Sequence, residues 1–198
     1  MKLEGRIAVV TGAGSGIGRG LAKRFAGEGM NLVLAGLHLD ALEAAASELA
    51  GLDVDTICVP TDVARLEDVE TLARSAIDRF GQVHVLCNNA GVAIPGAVGE
   101  ISMADWRWTL SVNLWGPIHG VQVFLPIMER QGVGHICLTA SESGLYATAY
   151  LGAYNVSKFG VVGLMTSLAR DLRARNSPVT ASVMGVGVLS SPMRPGST

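Results

Sequence analysis

The sequence predicts an α/β chain, a doubly wound three-layer sandwich with a central parallel sheet. Three observations carry this. Short apolar runs alternate with longer amphipathic stretches, as the strands and helices of repeated βαβ units do. The apolar runs are near-continuous, as in strands covered by helices on both faces. The unusual polar and glycine-rich segments, at 11–18, 62–63, 88–91 and Ser141, each follow a predicted strand. That is where a doubly wound sheet has its ligand crevice.

The predicted elements run in order from RIAVVT (6–11), a strand built on Ile7 to Val10, into a helix over 16–29. NLVLAG (31–36) is the second strand and precedes a helix over 39–50, where Asp40 and Glu43 resemble a capping box. DTICVP (55–60) leads to a helix over 65–80, and VHVLCN (83–88) to a long helix over 102–130. Ser102 with Asp105 again resembles a capping box, and Pro117 and Pro126 predict a break or kink in that helix. GHICLTA (134–140), a helix over 152–175 and VTASVMGV (179–186) complete the series. No low-complexity linker interrupts it, so residues 1–198 are expected to form a single domain.

Composition bounds the reading. Of 198 residues 49% are hydrophobic and 16% charged, enough for a sizeable core. The 25 glycines have no collagen-like period and point to tight turns and close backbone approaches. A net charge of −2 without a Lys/Arg-rich run gives no reason to expect nucleic acid. Lys2, Glu4 and Arg6 break up the N-terminus, unlike a signal peptide. No apolar stretch approaches the roughly 20 residues of a membrane span. Cys58, Cys87 and Cys137 each sit in an apolar run and are expected to be buried, reduced thiols with no metal or disulfide role. A cytoplasmic chain follows as the expectation.

The first polar segment is Thr11-Gly12-Ala13-Gly14-Ser15-Gly16-Ile17-Gly18, between a predicted strand and helix. Glycines there allow a sharp turn and let backbone N–H groups at a helix N-terminus meet a pyrophosphate. The G-x-G-x-x-G fingerprint is absent, as is the Gly-Lys-Ser/Thr of a phosphate loop. What stands there is T-G-x-x-x-G-x-G, compatible with a dinucleotide site or with an ordinary flexible turn.

The second constellation is Tyr154-Asn155-Val156-Ser157-Lys158. Residues four apart share a helix face, so a phenol and an ammonium can share a site. A nearby cation favours phenolate, the tuning an acid/base near neutrality needs. Tyr146 and Tyr150 have no lysine four residues on. Ser141 closes the fifth strand, placed to donate to a developing alkoxide. A Ser–His–Asp hydrolase is the competitor, but neither Ser15 nor Ser141 stands in a G-x-S-x-G elbow. His84, His119 and His135 read as structural.

Together, TGAGSGIG (11–18), Asp62-Val63, NNAG (88–91), Asn113 in SVNLWG, Ser141 and YNVSK (154–158) resemble the classical short-chain dehydrogenase/reductase family, in its order and spacing over nearly the whole chain. The resemblance implies a Rossmann-type fold and a nicotinamide-dependent oxidoreductase. Tyr154 would be the proton donor or acceptor and Ser141 would hold the substrate oxygen. Lys158 would bind the nicotinamide ribose and favour the Tyr154 phenolate, and Asn113 would hold a water in a relay behind Lys158. Gly12, Ser15, Gly16, Ile17 and Gly18 would meet the pyrophosphate. Asp62 and Val63 would contact adenine, and Asn89, Ala90 and Gly91 would line the adenosine ribose. Gly36, Leu37 and His38 would flank the 2′-position, and Gly187, Leu189 and Ser191 the nicotinamide carboxamide. The resemblance also implies a homodimer or homotetramer, with Leu114, Trp115 and Phe124 as a compatible apolar face.

Three departures stand out. Gly36 occupies the place where NAD-preferring members resemble one another in carrying an acid, which leans towards NADP over NAD. His38 is the candidate phosphate partner, and Asp40 reads as a helix cap. Val186 replaces the family's proline and Ser191 its threonine before the C-terminus. Relatives run to roughly 250 residues, so a C-terminal segment with a seventh strand is expected to be lacking here, leaving 179–186 as an edge. The residues facing the substrate, 92–98, 142–151 and Met193, are mostly apolar or small, which suggests a small, non-ionic, apolar alcohol or carbonyl compound. A catalytically silent dinucleotide sensor or scaffold on the same fold is the alternative from another class, and an epimerase or dehydratase is the rival among enzymes.

Overall fold

A computed structural model describes residues 2–185. Val186, Gly187, Leu189, Ser191 and Met193, all invoked above, lie outside the described residues.

The chain alternates as the sequence predicts: β1 (Ile7–Thr11), α1 (Gly16–Gly27), β2 (Asn31–Gly36), α2 (Leu39–Ser47), β3 (Thr56–Pro60), α3 (Leu66–Phe80) and β4 (Val85–Asn88). Then come α4 (Met103–Leu110), α5 (Gly116–Gln131), β5 (Gly134–Thr139), α6 (Gly152–Ala174) and β6 (Val179–Met184). The strands form a parallel sheet in the order β3-β2-β1-β4-β5-β6. The direction of winding reverses between β1 and β4, which opens the crevice beyond their carboxyl ends.

Alternate residues of each strand serve the two outer layers. Val9, Val33, Leu86, Ile136 and Leu138 cluster with Leu72, Phe124, Met128, Val161 and Leu168 from α3, α5 and α6. Ala8, Val10, Leu32 and Leu34 cluster with Ala22, Ala26, Leu42 and Ala45 from α1 and α2. Phe124 and Met128 are wholly buried, and each such side chain contributes about 1.5–3 kcal/mol. Phe124 is therefore core rather than assembly surface; Trp115 is the exposed member of the expected apolar face.

The long fourth helix departs from expectation. Its backbone stays helical through Pro126, inside α5, and through Pro117, in the first turn of α5. The interruption takes the form of a π turn over Ser111–Trp115, where the Gly116 N–H donates to the Ser111 carbonyl five residues back. Pro117 has no N–H to give to the Asn113 carbonyl, so the widened turn falls where the α ladder already lacks a rung. Ser102 caps α4 as predicted, its Oγ accepting from the Asp105 N–H at 3.1 Å. Asp40 does not cap: His38 is the N-cap of α2, without a side-chain bond, and Asp40 lies in the first turn, where its charge suits the helix dipole.

Cys87 is buried, but Cys58 and Cys137 are only half-buried, because each sits towards the margin of its face; all three are free thiols. Cys87 and Cys137 are partners in register across β4 and β5. The Cys87 thiol beside it holds the Cys137 thiol below its ordinary value, while Cys137 and burial push Cys87 up. The three strand and helix histidines are bound up in the fold: His84 Nδ1 accepts from the Ile7 N–H, His119 Nδ1 meets the Val63 carbonyl, and His135 meets Thr180 and Ser182.

Candidate active site

Two loops meet at the switch point. Thr11 Oγ1 accepts from the N–H groups of Asn89 (2.9 Å) and Ala90 (3.0 Å) and donates to the Cys87 carbonyl. Asn89 Nδ2 donates to the Thr11 carbonyl at 3.0 Å, and Thr139 Oγ1 donates to Asn89 Oδ1 at 3.3 Å. The ends of β1, β4 and β5 are thereby tied into one rigid floor.

On that floor the glycine turn brings the N-terminus of α1 to the crevice. Gly12 takes a left-handed φ of +67° that only glycine adopts freely. Gly18 packs on it so closely that a Cβ would stand 2.2 Å from the Gly12 carbonyl oxygen. Gly18→Ala is therefore expected to lower stability by about 1–3 kcal/mol through backbone displacement; a denaturant midpoint unchanged from wild type would refute the packing argument. Ser15 is the N-cap but makes no side-chain cap bond, and the first turn of α1 holds no acid. Its N–H donors are left for a ligand.

Above the turn lies a cleft of about 570 Å³, lined by Gly12, Ser15, Gly16, Ile17, Asn89, Ala90, Gly91, Ser141, Tyr154 and Lys158. A second cavity, of about 380 Å³, is lined by Gly36, Leu37, His38, Asp62 and Val63. The two share Gly12, Ser15, Ala90, Gly91 and Val92, forming one groove across the switch point. Of the residues expected to face the substrate, Val92, Ala93, Glu142, Ser143, Thr148 and Leu151 line the larger cleft. The described residues given catalytic or cofactor roles in the sequence are all brought together except two. Gly18 lies beneath the turn, and Asn113 stands behind the wall.

In the larger cleft Lys158 is 4% exposed. Its Nζ donates to the Thr139 carbonyl at 2.8 Å and lies 5.5 Å from the centroid of the Tyr154 ring. Burial pushes the ammonium down from its ordinary value to about 8. Ser141 caps a 3-10 turn, Glu142–Gly144, by accepting the Ser143 N–H at 3.2 Å, so its own hydroxyl proton is free to donate into the cleft. Asn113, 1% exposed, has its side chain fully engaged. Oδ1 accepts from the Val92 N–H at 2.8 Å, and Nδ2 donates to the Val92 carbonyl and Ser157 Oγ. Its carbonyl lacks the usual α-helical donor, because Pro117 has no N–H.

In the smaller cavity Asp62 is partly spent, its Oδ1 accepting from the Ala64 N–H at 2.9 Å. Among the described residues no lysine or arginine lines this cavity.

Sequence reasoning missed several contributors. Thr11 and Thr139 brace the loops and receive Lys158; Asn155 pins the loop before α6 through Thr148, at 2.7 and 3.2 Å; Trp108 and Val112 complete the smaller cavity. Thr11 and Asn155 lie inside the quoted motifs, so position alone could have flagged them. Trp108 carries no such signal, because it reaches the cavity only through the path of α4.

A parallel sheet with an uncapped helix N-terminus at its switch point, and a Tyr–Lys pair beside it, has the build of a Rossmann-type oxidoreductase. The family model described as short chain dehydrogenase matches residues 6–198. The 1-deoxy-11-beta-hydroxypentalenate dehydrogenase of Streptomyces exfoliatus is 38% identical over 203 residues, covering 100% of this chain and 72% of that protein. A short chain dehydrogenase/reductase from Burkholderia phymatum, solved in complex with NAD, is 42% identical with a TM-score of 0.92; the match covers 94% of this chain and 67% of that one. A metagenomic short-chain oxidoreductase solved in complex with NADP is 32% identical with a TM-score of 0.88, over 96% of this chain and 85% of that one. This chain belongs to the short-chain dehydrogenase family and is an oxidoreductase of that family.

Proposed function

We propose that the chain interconverts an alcohol and its ketone or aldehyde with NADP, or NAD, as hydride carrier. The observation that carries this reading is the pairing of Tyr154 with a buried Lys158 in the cleft that Ser141 also lines. The residues fit a dinucleotide: open N–H groups of α1 face the pyrophosphate position, and the smaller cavity suits adenine against Asp62 and Val63. The nicotinamide supplies or takes the hydride.

In this reading the Ser141 hydroxyl donates to the substrate oxygen and fixes the carbonyl. Tyr154 gives its proton to that oxygen during reduction and takes it back during oxidation. Lys158 stabilises the charge left on the tyrosine oxygen and holds the ribose hydroxyls. The Asn113 carbonyl keeps a water behind Lys158 that relays a proton in from solvent to the tyrosinate during reduction and out to solvent during oxidation. Gly36 sets no carboxylate against a 2′-phosphate, which favours NADP, with His38 at the mouth as its candidate partner. The substrate is a small, largely apolar alcohol or carbonyl compound, and self-association would use exposed Trp115 and Phe159 rather than Phe124. Among the described residues no helix is long and apolar enough to cross a membrane.

Titration of NADPH and NADH, followed by turnover of a panel of neutral ketones and secondary alcohols, tests the reading. Tighter binding of NADPH and turnover of any member support it. Nucleotide binding without hydride transfer to any member would turn the chain into a binding protein on an oxidoreductase fold.

A further inference from the structure

One charged group in the cleft has no part in this chemistry. Glu142 directly follows Ser141, lines the same cleft and is half-buried there. Its position is fixed from two sides. It opens the short turn Glu142–Gly144, and Gly144 is seated on α6 so tightly that a Cβ would lie 2.7 Å from the Lys158 carbonyl oxygen. The Gly144 N–H closes the turn onto the Ser141 carbonyl at 2.9 Å. Tyr146 then donates its hydroxyl to Glu142 Oε2 at 2.7 Å. Among the described residues Oε1 has no hydrogen-bond partner, and no cation pairs with the carboxylate.

The rest of the cleft gives this charge its weight. Among the described residues Lys158 is the other ionised side chain lining it, and that ammonium is buried and committed to the Thr139 carbonyl. Val92, Ala93 and Leu151 are apolar neighbours in the lining. A carboxylate among such walls repels a like charge more strongly than it would in water, and attracts a cation or hydrogen-bond donor.

We infer that Glu142 sets the charge preference of the substrate end, admitting carbonyl compounds that carry a cation or a hydrogen-bond donor and rejecting carboxylates. The inference rests on the reading of this cleft as the site of carbonyl reduction. Selection works largely by exclusion: an anionic substrate would bring a second negative charge against a carboxylate that no cation pairs with among the described residues.

The test uses three probes of one shape: acetophenone, 4-acetylbenzoate and (4-acetylbenzyl)trimethylammonium. Each is offered with NADPH to wild type, Glu142→Gln and Tyr146→Phe, and both kcat/KM and the thermal shift of the nucleotide-bound protein are read. Wild type is expected to prefer the cation to the carboxylate, and Glu142→Gln to shrink that ratio by on the order of tenfold. Tyr146→Phe keeps the charge and is expected to keep the ratio. An unchanged ratio in Glu142→Gln overturns the inference, as does an equal loss in Tyr146→Phe, which would make turn geometry the cause. Charge-dependent thermal shifts without turnover would sustain the role of Glu142 while removing the dehydrogenase reading. Failure of all three probes to bind any variant overturns the inference too.

Discussion

Tyr154→Phe is expected to lower kcat by about a thousandfold while NADPH affinity stays within a few-fold of wild type. The substitution removes one hydroxyl and leaves the ring, so the packing of a half-buried side chain on α6 is retained. What goes is the proton that must reach the substrate oxygen as the hydride arrives at carbon, a role worth about 10²–10⁴ in rate. The nucleotide should be spared, because most groups assigned to it lie on the glycine turn, the ends of β2 and β3 and the β4 loop, and Lys158, assigned to the ribose, is unchanged. Ser141 and the other tyrosines cannot take over. Ser141 has an alcohol's weak acidity, and Tyr146 is bound to Glu142 at the cleft's outer end. Single-turnover measurement with saturating NADPH separates the chemical step from binding. A loss below tenfold would mean that another group carries the proton.

The fold was legible because its signals are periodic. Six apolar runs separated by helical stretches admit few arrangements once crossovers must be right-handed, and the polar segments after four of these runs mark the crevice. Boundaries were less legible: the run at 83–88 yields a strand only from Val85, since Val83 and His84 serve as its approach, with His84 accepting the Ile7 N–H. An interruption next to Pro117 was legible, but its form as a π turn was not, for a physical reason. A proline rule weighs one lost hydrogen bond, and it cannot see that a π turn upstream relocates the mismatch.

The site divides in the same way. Tyr154 and Lys158 could be paired from spacing alone, because four residues on a helix place them on one face. That Lys158 would be buried against the Thr139 carbonyl could not be read, since this depends on α6 crossing the end of β5. The Asn113 side chain holds both backbone groups of Val92, a tie that the sequence does not announce.

Lys158→Met is expected to make the nucleotide-free protein more stable at pH 7 by about 1–3 kcal/mol while abolishing most activity. Burial holds the lysine near 8 against an ordinary 10.5, a difference of about 3 kcal/mol between protonation states. Because the folded value is the lower one, the unfolded chain binds more protons between those two pH values. The contribution of Lys158 to stability is therefore lost as pH falls through about 8 and fully present above about 10.5. At pH 7 the native state carries an ammonium that it would rather not bury. Methionine removes that penalty, losing in exchange one hydrogen bond to Thr139, worth about 1 kcal/mol. The gap between variant and wild type should be widest below pH 8, narrow through pH 8 to 10.5 and close beyond it, as followed by urea midpoints at each pH. Nucleotide should reverse the order, stabilising wild type more than Lys158→Met, because the ribose hydroxyls would give the ammonium partners it lacks. If Lys158→Met is less stable than wild type at pH 7, the lysine is a structural tie rather than a charge held in readiness for catalysis.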